Sequence, residues 1–354
     1  MRTPQWWSFI DSVKTGSAQA GANAKVLGLY EVELPERKIQ DHIADIGFNL
    51  LKKQDINSKI NQTLEQMSQT LFKSWFVDFD PVIDNAPDAG NPIPEALQTR
   101  TKLRQKVRNS ADFKPLPAEI RSLFPSEFEE TELGWVPKGW DVVKTEDIAI
   151  KIGMGPFGSN IKASQFVSSG IPIINGQQLK GLILEKNFIN YITDEHANIL
   201  KNSLVYEHDI VLTHRGTLGQ VSLIPKRKGN EKFVISQSQF YLRVDRKKCS
   251  PFYMIHFLKS RIGQEALLSN ASQVGVPSIA RPSTHLKKIT FINPPLSLHK
   301  LFDNEFEVIL EKIMNCKEQS LALTALRDTL LPKLISGELS LEDLPDLTTD
   351  TEAA

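Results

Sequence analysis

Residues 36–76 place the strongest constraint on what this chain can fold into. Ile39, Ile43, Ile46, Leu50, Lys53, Asn57, Ile60, Leu64, Met67 and Leu71 follow one another at alternating steps of four and three residues. A seam of that period, kept for more than four heptads, commits a chain to a long helix that buries one stripe against another helix. The stretch from Glu36 to Phe76 corresponds to a rod of roughly 60 Å at the α-helical rise. Lys53 and Asn57 are polar seam positions, which weaken such a pairing but fix its register and partner.

A second segment can supply that partner. After Pro294-Pro295 a helical pattern runs from about Leu298 to Leu334, with Phe302, Phe306, Ile309, Ile313, Cys316, Ser320 and Leu323 again stepping by four and three. Ser336-Gly337 suits a C-terminal cap. Displacing the first helix by 259 residues lays Pro35 on Pro294, Ile39 on Leu298, Lys53 on Lys312, Leu64 on Leu323 and Thr70-Leu71 on Thr329-Leu330. The matching entry prolines and lengths indicate an internal repeat. Two similar helices in one chain can pair antiparallel as a coiled-coil spacer.

The remaining segments read differently. Residues 1–34 are too short to bury a core of their own; 14–21 is loop-like and Val26–Leu34 has strand character. Residues 81–137 hold eight of the 20 prolines and read as an extended connector or a small insert. There Pro87, Pro92 and Pro94 argue for a loop, and Leu97–Arg108 suits a short basic helix. From Trp140 to Asn293, β-branched and aromatic runs alternate with Gly and Pro turns. Strands are expected at Ile148–Ile152, Ile171–Asn175, Asp209–Thr213, Gln220–Ile224 and Gln239–Val244, with helices near Ser250–Arg261 and Gly263–Asn270. The expected fold is mixed α/β, one globular domain plus two long helices pairing as an antiparallel coiled-coil spacer.

Charge separates along the same boundaries. The 354 residues hold 42 Lys+Arg and 42 Asp+Glu, but Trp135–Asn293 alone has 21 basic and 11 acidic residues. A domain at +10 on a remainder at −10 suits a polyanion binder with a separate protein-binding part. No apolar run approaches the ~18 residues of a membrane helix, and the N-terminus lacks a signal-peptide core. Two cysteines, Cys249 and Cys316, make neither a disulfide framework nor a zinc site, and fit a reducing cytoplasm.

Several segments together resemble one family. Thr70-Leu71-Phe72-Lys73-Ser74-Trp75-Phe76-Val77-Asp78-Phe79-Asp80-Pro81 resembles the end of the central conserved helix of type I restriction–modification specificity (S) subunits. Glu132-Leu133-Gly134-Trp135-Val136-Pro137-Lys138-Gly139-Trp140 is similar to the entry of their second target recognition domain. Gly155–Ser159, Gly170–Gly176 and Arg215–Gly219 resemble signatures inside it, and Leu326–Leu339 the C-terminal conserved helix. The matches span nearly the whole chain in family order.

The resemblance implies an organisation: 1–34 as the remnant of a first recognition domain, 35–80 as the central conserved helix, and 81–137 as a Pro-rich connector or insert. Residues 138–293 would be the DNA-binding target recognition domain, 294–340 the C-terminal conserved helix, and 341–354 an acidic tail. With only about 35 residues before the first helix, the chain resembles an S subunit truncated at its N-terminus. One such domain reads half of a bipartite target, unless two copies combine as a homodimer. The resemblance also implies docking of methyltransferase (modification) subunits on the helices, with motor-nuclease (restriction) subunits joining through the complex. Those partners would carry the adenine methylation and the ATP-dependent cleavage.

Other motifs weigh little. Gly153-Met154-Gly155-Pro156-Phe157-Gly158 matches G-x-G-x-x-G, but residues 173–180 lack the acidic residue a dinucleotide site needs. Asn293-Pro294-Pro295-Leu296 is similar to the Asn-Pro-Pro-aromatic motif of amino-methyltransferases, but Leu296 offers no stacking ring, so helix entry is the favoured reading. The seven histidines show no metal spacing; His42, His256, His285 and His299 read as surface or boundary residues. No cofactor, metal or catalytic residue is expected.

Base edges are read by Arg, Lys, Asn and Gln, and phosphates by Lys, Arg, Ser, Thr and backbone amides. The candidate DNA contacts are Lys162, Asn175, Gln177, Gln178, Arg215, Thr217, Gln237, Gln239 and Arg281. Lys226-Arg227-Lys228 and Arg246-Lys247-Lys248 read equally well as phosphate-facing or solvated runs. The expected function is that of a non-catalytic DNA specificity subunit. The alternatives are a coiled-coil remnant that reads no sequence and, less favoured, an adenine-N6 methyltransferase.

Overall fold

The computed structural model describes residues 4–15, 21, 23–31, 34–226, 231–272 and 274–340. The acidic tail at 341–354, together with Arg227 and Lys228 of one basic run, lies outside the described residues. The chain forms two compact units, residues 1–63 with 311–354 and residues 64–310.

The first unit contains most of the helix pairing. The first long helix is Arg37–Phe76 and the second Leu296–Ile335, each of 40 residues. Their ends differ by 259 residues, the displacement that aligns their sequences. The pairing is antiparallel: Gly47 lies against Leu331, the Gln54 amide donates to Ser320 O (3.1 Å) and Thr324 Oγ1 (2.7 Å), and the Asn57 amide donates to Cys316 O (3.4 Å). Asn57 and Cys316 are repeat equivalents at the midpoints of their helices, so a local twofold relation passes through this polar layer. Gly337, with φ +73, then ends the second helix, as its cap position requires.

The seam of the first helix differs in part from the sequence expectation. Ile43 and Asn57 are buried and Ile46 and Leu50 half-buried, as expected, but Gly47 is buried beside Ile46, and Gln54 and Asn61 replace Lys53 and Ile60 as the inward partners. In the other unit Ser68 is buried while Met67 is exposed. Steps of three and of four from a shared position lie on either side of the seam line, and apolarity picks Ile60 and Met67. Close backbone approach at Gly47 and hydrogen bonds from Gln54 and Asn57 select the other side. The second helix follows its expected seam, Phe302 to Leu323, with every position buried or half-buried. Near the N-terminus the expected strand at 26–34 is not formed among the described residues. Ala24–Leu27 is a helical turn, capped where Asn23 Oδ1 accepts from the Val26 N–H at 2.9 Å.

In the second unit the inner ends of both long helices enter one aromatic cluster. Phe72 and Phe76 lie 5.8 and 5.4 Å from Phe302, and both lie 5.1 Å from Tyr253. His256 lies 4.6 Å from Phe306. The first helix stops where the Asp78 N–H returns to Lys73 O (2.7 Å) and Phe79 takes φ +54. Asp80 then accepts from Ser74 Oγ (2.8 Å) and from Arg100 at 2.6 Å. Residues 80–121 are three packed helices, Asp80–Asp88, Gln98–Arg108 and Ala118–Arg121. Further ion pairs clasp them, Arg104 to Asp84 at 2.6 Å and Arg121 to Asp88. The segment is thus a folded insert, and Pro87, expected in a loop, lies in the last turn of the first of these helices. Pro92 and Pro94 do lie in irregular chain.

The α/β part follows. A hairpin of β1 (Phe128–Thr131) and β2 (Gly134–Pro137) leads to Trp140, buried against Phe76 and Phe79. Next come β3 (Asp141–Lys144), β4 (Ala149–Met154), β5 (Ile171–Ile174), β6 (Tyr191–Ile192), β7 (Leu204–Val205), β8 (Ile210–Thr213) and β9 (Val221–Leu223). They are followed by β10 (Phe233–Ile235), β11 (Gln239–Val244), β12 (Ala271–Ser272), β13 (Ser278–Ile279) and β14 (Thr290–Asn293). One sheet has the order β4-β11-β8-β9 and is antiparallel throughout; the other is β6-β5-β10-β7, with β5 and β10 parallel. Strand alternation divides the core: Ile174, Phe233 and Ile235 join Val211 and Tyr241 in one cluster, while Ile173 and Val234 join Ile192, Leu200 and Leu204 in another. The β3–β14 pair, with Asp141 opposite Asn293, closes entry against exit. The expected strands and the helices Pro251–Lys259 and Arg261–Leu268 all form.

Two histidines expected at the surface or a boundary, His256 and His299, are buried. His256 Nδ1 meets Phe252 O at 2.6 Å while its Nε2 has no partner, and His299 Nε2 meets Asn293 Oδ1 at 3.0 Å. The last bond uses Asn293 for helix entry, as the sequence reading favours over catalysis. Burial pushes both imidazoles down to about 4. Asp303, whose carboxylate accepts from Ser250 Oγ, is pushed up to about 6 by burial.

The unfolded chain binds protons at these histidines below about 6.5 while the folded chain does not, so stability falls as pH drops from 6.5 toward 4. Asp303 works oppositely between 6 and 4, because its folded form holds the proton more tightly. Two imidazoles outweigh one carboxyl. Melting temperature is expected to be flat above pH 7 and to fall below 6.5, and His256→Phe should remove part of that fall. An equal acid loss in the variant would contradict this assignment.

A second expectation concerns the polar layer. Asn57→Leu should raise the melting temperature while weakening register, since a buried seam Asn trades stability for a unique pairing. Light scattering should then show mixed oligomers. A strictly unchanged association state with no gain in melting temperature would exclude that role.

Candidate nucleic-acid interface

Five loops meet at one end of the two sheets: 155–162, 174–181, 213–220, 236–239 and 270–281. Backbone and amide hydrogen bonds lock them together. The Gly155 N–H donates to Gln239 O (2.9 Å), Ser236 N–H to Ile174 O (2.8 Å), and His214 N–H to Ser238 O (3.0 Å). Gly216 N–H donates to Pro277 O (2.9 Å), Ile279 N–H to His214 O (2.9 Å), and the Gln220 amide to Gly176 O (2.9 Å).

Glycines make this approach possible. A Cβ on Gly155 would lie 1.9 Å from Ser236 O, and one on Gly153 would lie 2.3 Å from the Tyr241 ring. One on Gly158 would lie 2.7 Å from Gln237 Oε1. These are the three glycines of the G-x-G-x-x-G match, and all of them serve close packing inside the domain. Only a three-residue 3-10 turn, Gly158–Asn160, follows, so no long helix opens there to receive a dinucleotide.

The candidate residues fall into two groups. Lys162, Gln177, Arg215, Thr217, Gln237 and Arg281 are exposed, and Asn175 is half-buried with its Oδ1 accepting from the Gln177 N–H (2.9 Å). Among the described residues Lys162, Arg215 and Arg281 form no ion pair. Gln178 and Gln239 are buried, and their amides are used within the chain. Gln178 accepts from the Asn175 N–H (2.9 Å) and donates to Asn187 O (2.9 Å). Gln239 accepts from Ser236 Oγ and donates to Thr213 Oγ1 (3.4 Å). These two glutamines therefore hold loops in place. Of the basic runs, Lys248 Nζ is spent on Asp147 O at 2.8 Å.

The electrostatics of the face is one-sided. The five loops contain Lys162, Lys180, Arg215, Arg281 and His214 and not one Asp or Glu, in a chain that has 42 carboxylates. His214 donates from Nε2 to Gln237 O (3.1 Å), and burial lowers its pKa. Sequence reasoning missed the apolar tips on the same face: Phe157, Val274 and Val276 are all exposed. Their one signal was apolar residues beside glycine in stretches free of carboxylates.

A mixed α/β domain with cations and amides gathered on one loop face, together with a pair of long antiparallel helices, defines a class of two-part protein, one part globular and one a helical pair. Residues 137–316, half of the chain, match the type I restriction modification DNA specificity domain, and the chain belongs to that family of specificity subunits. It is 27% identical to the Haemophilus influenzae type I restriction enzyme HindI specificity subunit, across 95% of this chain and 75% of that protein. It is 24% identical to the Methanocaldococcus jannaschii MjaIX specificity subunit, across 97% of this chain and 68% of that one. Among solved structures, the type I S subunit from M. genitalium aligns with 13% identity and a TM-score of 0.47, over 96% of this chain and 69% of that one. Among the described residues no helix is long and apolar enough to cross a membrane.

The packing at Gly155 gives a direct test of the loop junction. Gly155→Ala has to displace the backbone of 236–239 and is expected to destabilise the chain by about 1–3 kcal/mol, as overpacking does. Denaturant unfolding measures it; a neutral substitution would show that the loops are not locked as described.

Proposed function

We propose that this chain is the DNA-reading subunit of a type I restriction–modification complex, working in the cytoplasm and itself non-catalytic. Residues 138–293 act as the target recognition domain. Arg215, Gln237, Gln177 and Asn175 read base edges, while Lys162, Thr217 and Arg281 hold phosphates. Gln178 and Gln239 act indirectly, by fixing the loops. The paired segments 35–80 and 294–340 carry methyltransferase subunits, and motor-nuclease subunits join through that assembly. The observation that carries the reading is the loop face with four cations, three of them in no ion pair among the described residues, and no carboxylate within its five loops. Such a face attracts a polyanion, and its amides supply the donor and acceptor pairs that base edges require.

The test is duplex binding by the chain with its methyltransferase partner, on the target obtained by methylation mapping. Affinity is expected to fall steeply with salt through counterion release. Arg215→Ala and Gln237→Ala should each cost about 1–3 kcal/mol and relax preference among targets. Wild-type affinity and an unchanged methylation pattern in both variants would reject these residues, and salt-independent binding would reject the interface.

A further inference from the structure

The loop face carries a feature that charge does not explain. β12 and β13 form a short two-stranded ribbon, Ala271 opposite Ile279 and Ser272 opposite Ser278. At its tip Gly275, with φ +71, turns the chain between two valines. Val274 is 90% exposed and Val276 55%, and Phe157, on another loop of the same face, is 83% exposed. Folding gains nothing from a β-branched or aromatic side chain held in water, yet three stand on loops whose other exposed residues, among those described, are polar, cationic, Gly or Ala.

The ribbon is firmly seated. Arg215 bridges Ser278, the Gly216 N–H donates to Pro277 O at 2.9 Å, and the Asn270 amide donates to Ala280 O at 2.8 Å. Arg215, one of the unopposed cations, therefore stands beside the base of the valine tip. A protein partner with a basic face of its own would be repelled here, whereas a duplex meets cation and apolar tip together. A two-stranded ribbon fits the width of the major groove, and the apolar group exposed on base edges there is the 5-methyl of thymine.

Resting on the proposed DNA-reading role, we infer that Val274 and Val276 at the ribbon tip, with Phe157 on another loop of the face, are specificity determinants that read thymine 5-methyl groups in the major groove. Arg215 and Gln237 supply the polar part of the readout and the three apolar tips the methyl part. Valine is short and branched, suited to lying against a methyl and too small to replace a stacked base pair.

The experiment replaces the thymines of the mapped target one at a time by uracil, which removes only the methyl, and measures affinity in the complex with the methyltransferase subunit. Wild type is expected to lose about fourfold at each contacted thymine, the value of one buried methyl. The Val274→Ser/Val276→Ser double variant and Phe157→Ser should bind the thymine target that much more weakly and be blind to uracil at their own positions. These sites are solvent-exposed, so melting temperature should not change. Indifference of wild type to every uracil overturns the inference, as does a recognised half-site without thymine. Unstacking reported by 2-aminopurine at the contacted step also overturns it, in favour of a wedge. If Arg215→Ala still loses affinity in those cases, DNA reading stands and only the methyl readout falls. If wild type shows no preference among sequences, both readings fall.

Discussion

Packing of aromatic rings at the inner ends of the two long helices is the interaction on which the second unit depends. Phe72, Trp75 and Phe76 from one helix, Phe302 and Phe306 from the other, and Tyr253 and His256 from Pro251–Lys259 meet mostly edge to face or tilted, with Phe72–His256 and Phe302–Phe306 stacked. Such pairs add about 0.5–1.5 kcal/mol each beyond the area they bury. The same rings contact Trp140 at the start of the α/β part. One cluster thus joins the inner ends of both helices to the domain that carries the loops. Its cost is a buried imidazole that must stay neutral, which ties the stability of this joint to pH.

The polar layer at Asn57 answers a different constraint. Two helices related by an internal repeat have many nearly equivalent antiparallel registers, each burying a similar apolar area. Hydrogen bonds from Gln54 and Asn57 to Ser320, Thr324 and Cys316 form in one register only. Because Asn57 and Cys316 are equivalent in the repeat, that register centres both 40-residue helices on each other. Specificity of pairing is obtained here with polar atoms, at the expense of apolar contact.

The loop face shows how packing and recognition divide the same residue types. Glutamines occur throughout these loops, but Gln178 and Gln220 bond to the backbone of other segments and Gln239 to Ser236 and Thr213, while Gln177 and Gln237 are exposed. The distinction is invisible in composition. It follows from where the strand begins: Gln239 is the first residue of β11 and is buried, whereas Gln237 lies in the turn before it, outside the strand, and is exposed. The insert at 80–121 makes a similar point. Its prolines suggest an open linker, yet Asp80, Asp84 and Asp88, at helical spacing, meet Arg100, Arg104 and Arg121 and close it.

Sequence alone determined the long helices to within two residues, their repeat, the five principal strands and the basic character of the domain. These follow from local periodicity, propensity and charge, which need no partner to be read. It also named Arg215, Thr217 and Gln237 among the candidate contacts, and all three are exposed. Only the tertiary structure decided which side of the first helix faces inward, since Ile60 and Gln54 are both near the seam and the partner backbone chooses between them. Only tertiary structure buried His256 and His299, gathered five distant loops into one face, and left Val274 and Phe157 in water. Each of these outcomes depends on what lies across the gap, and a linear pattern contains no term for that.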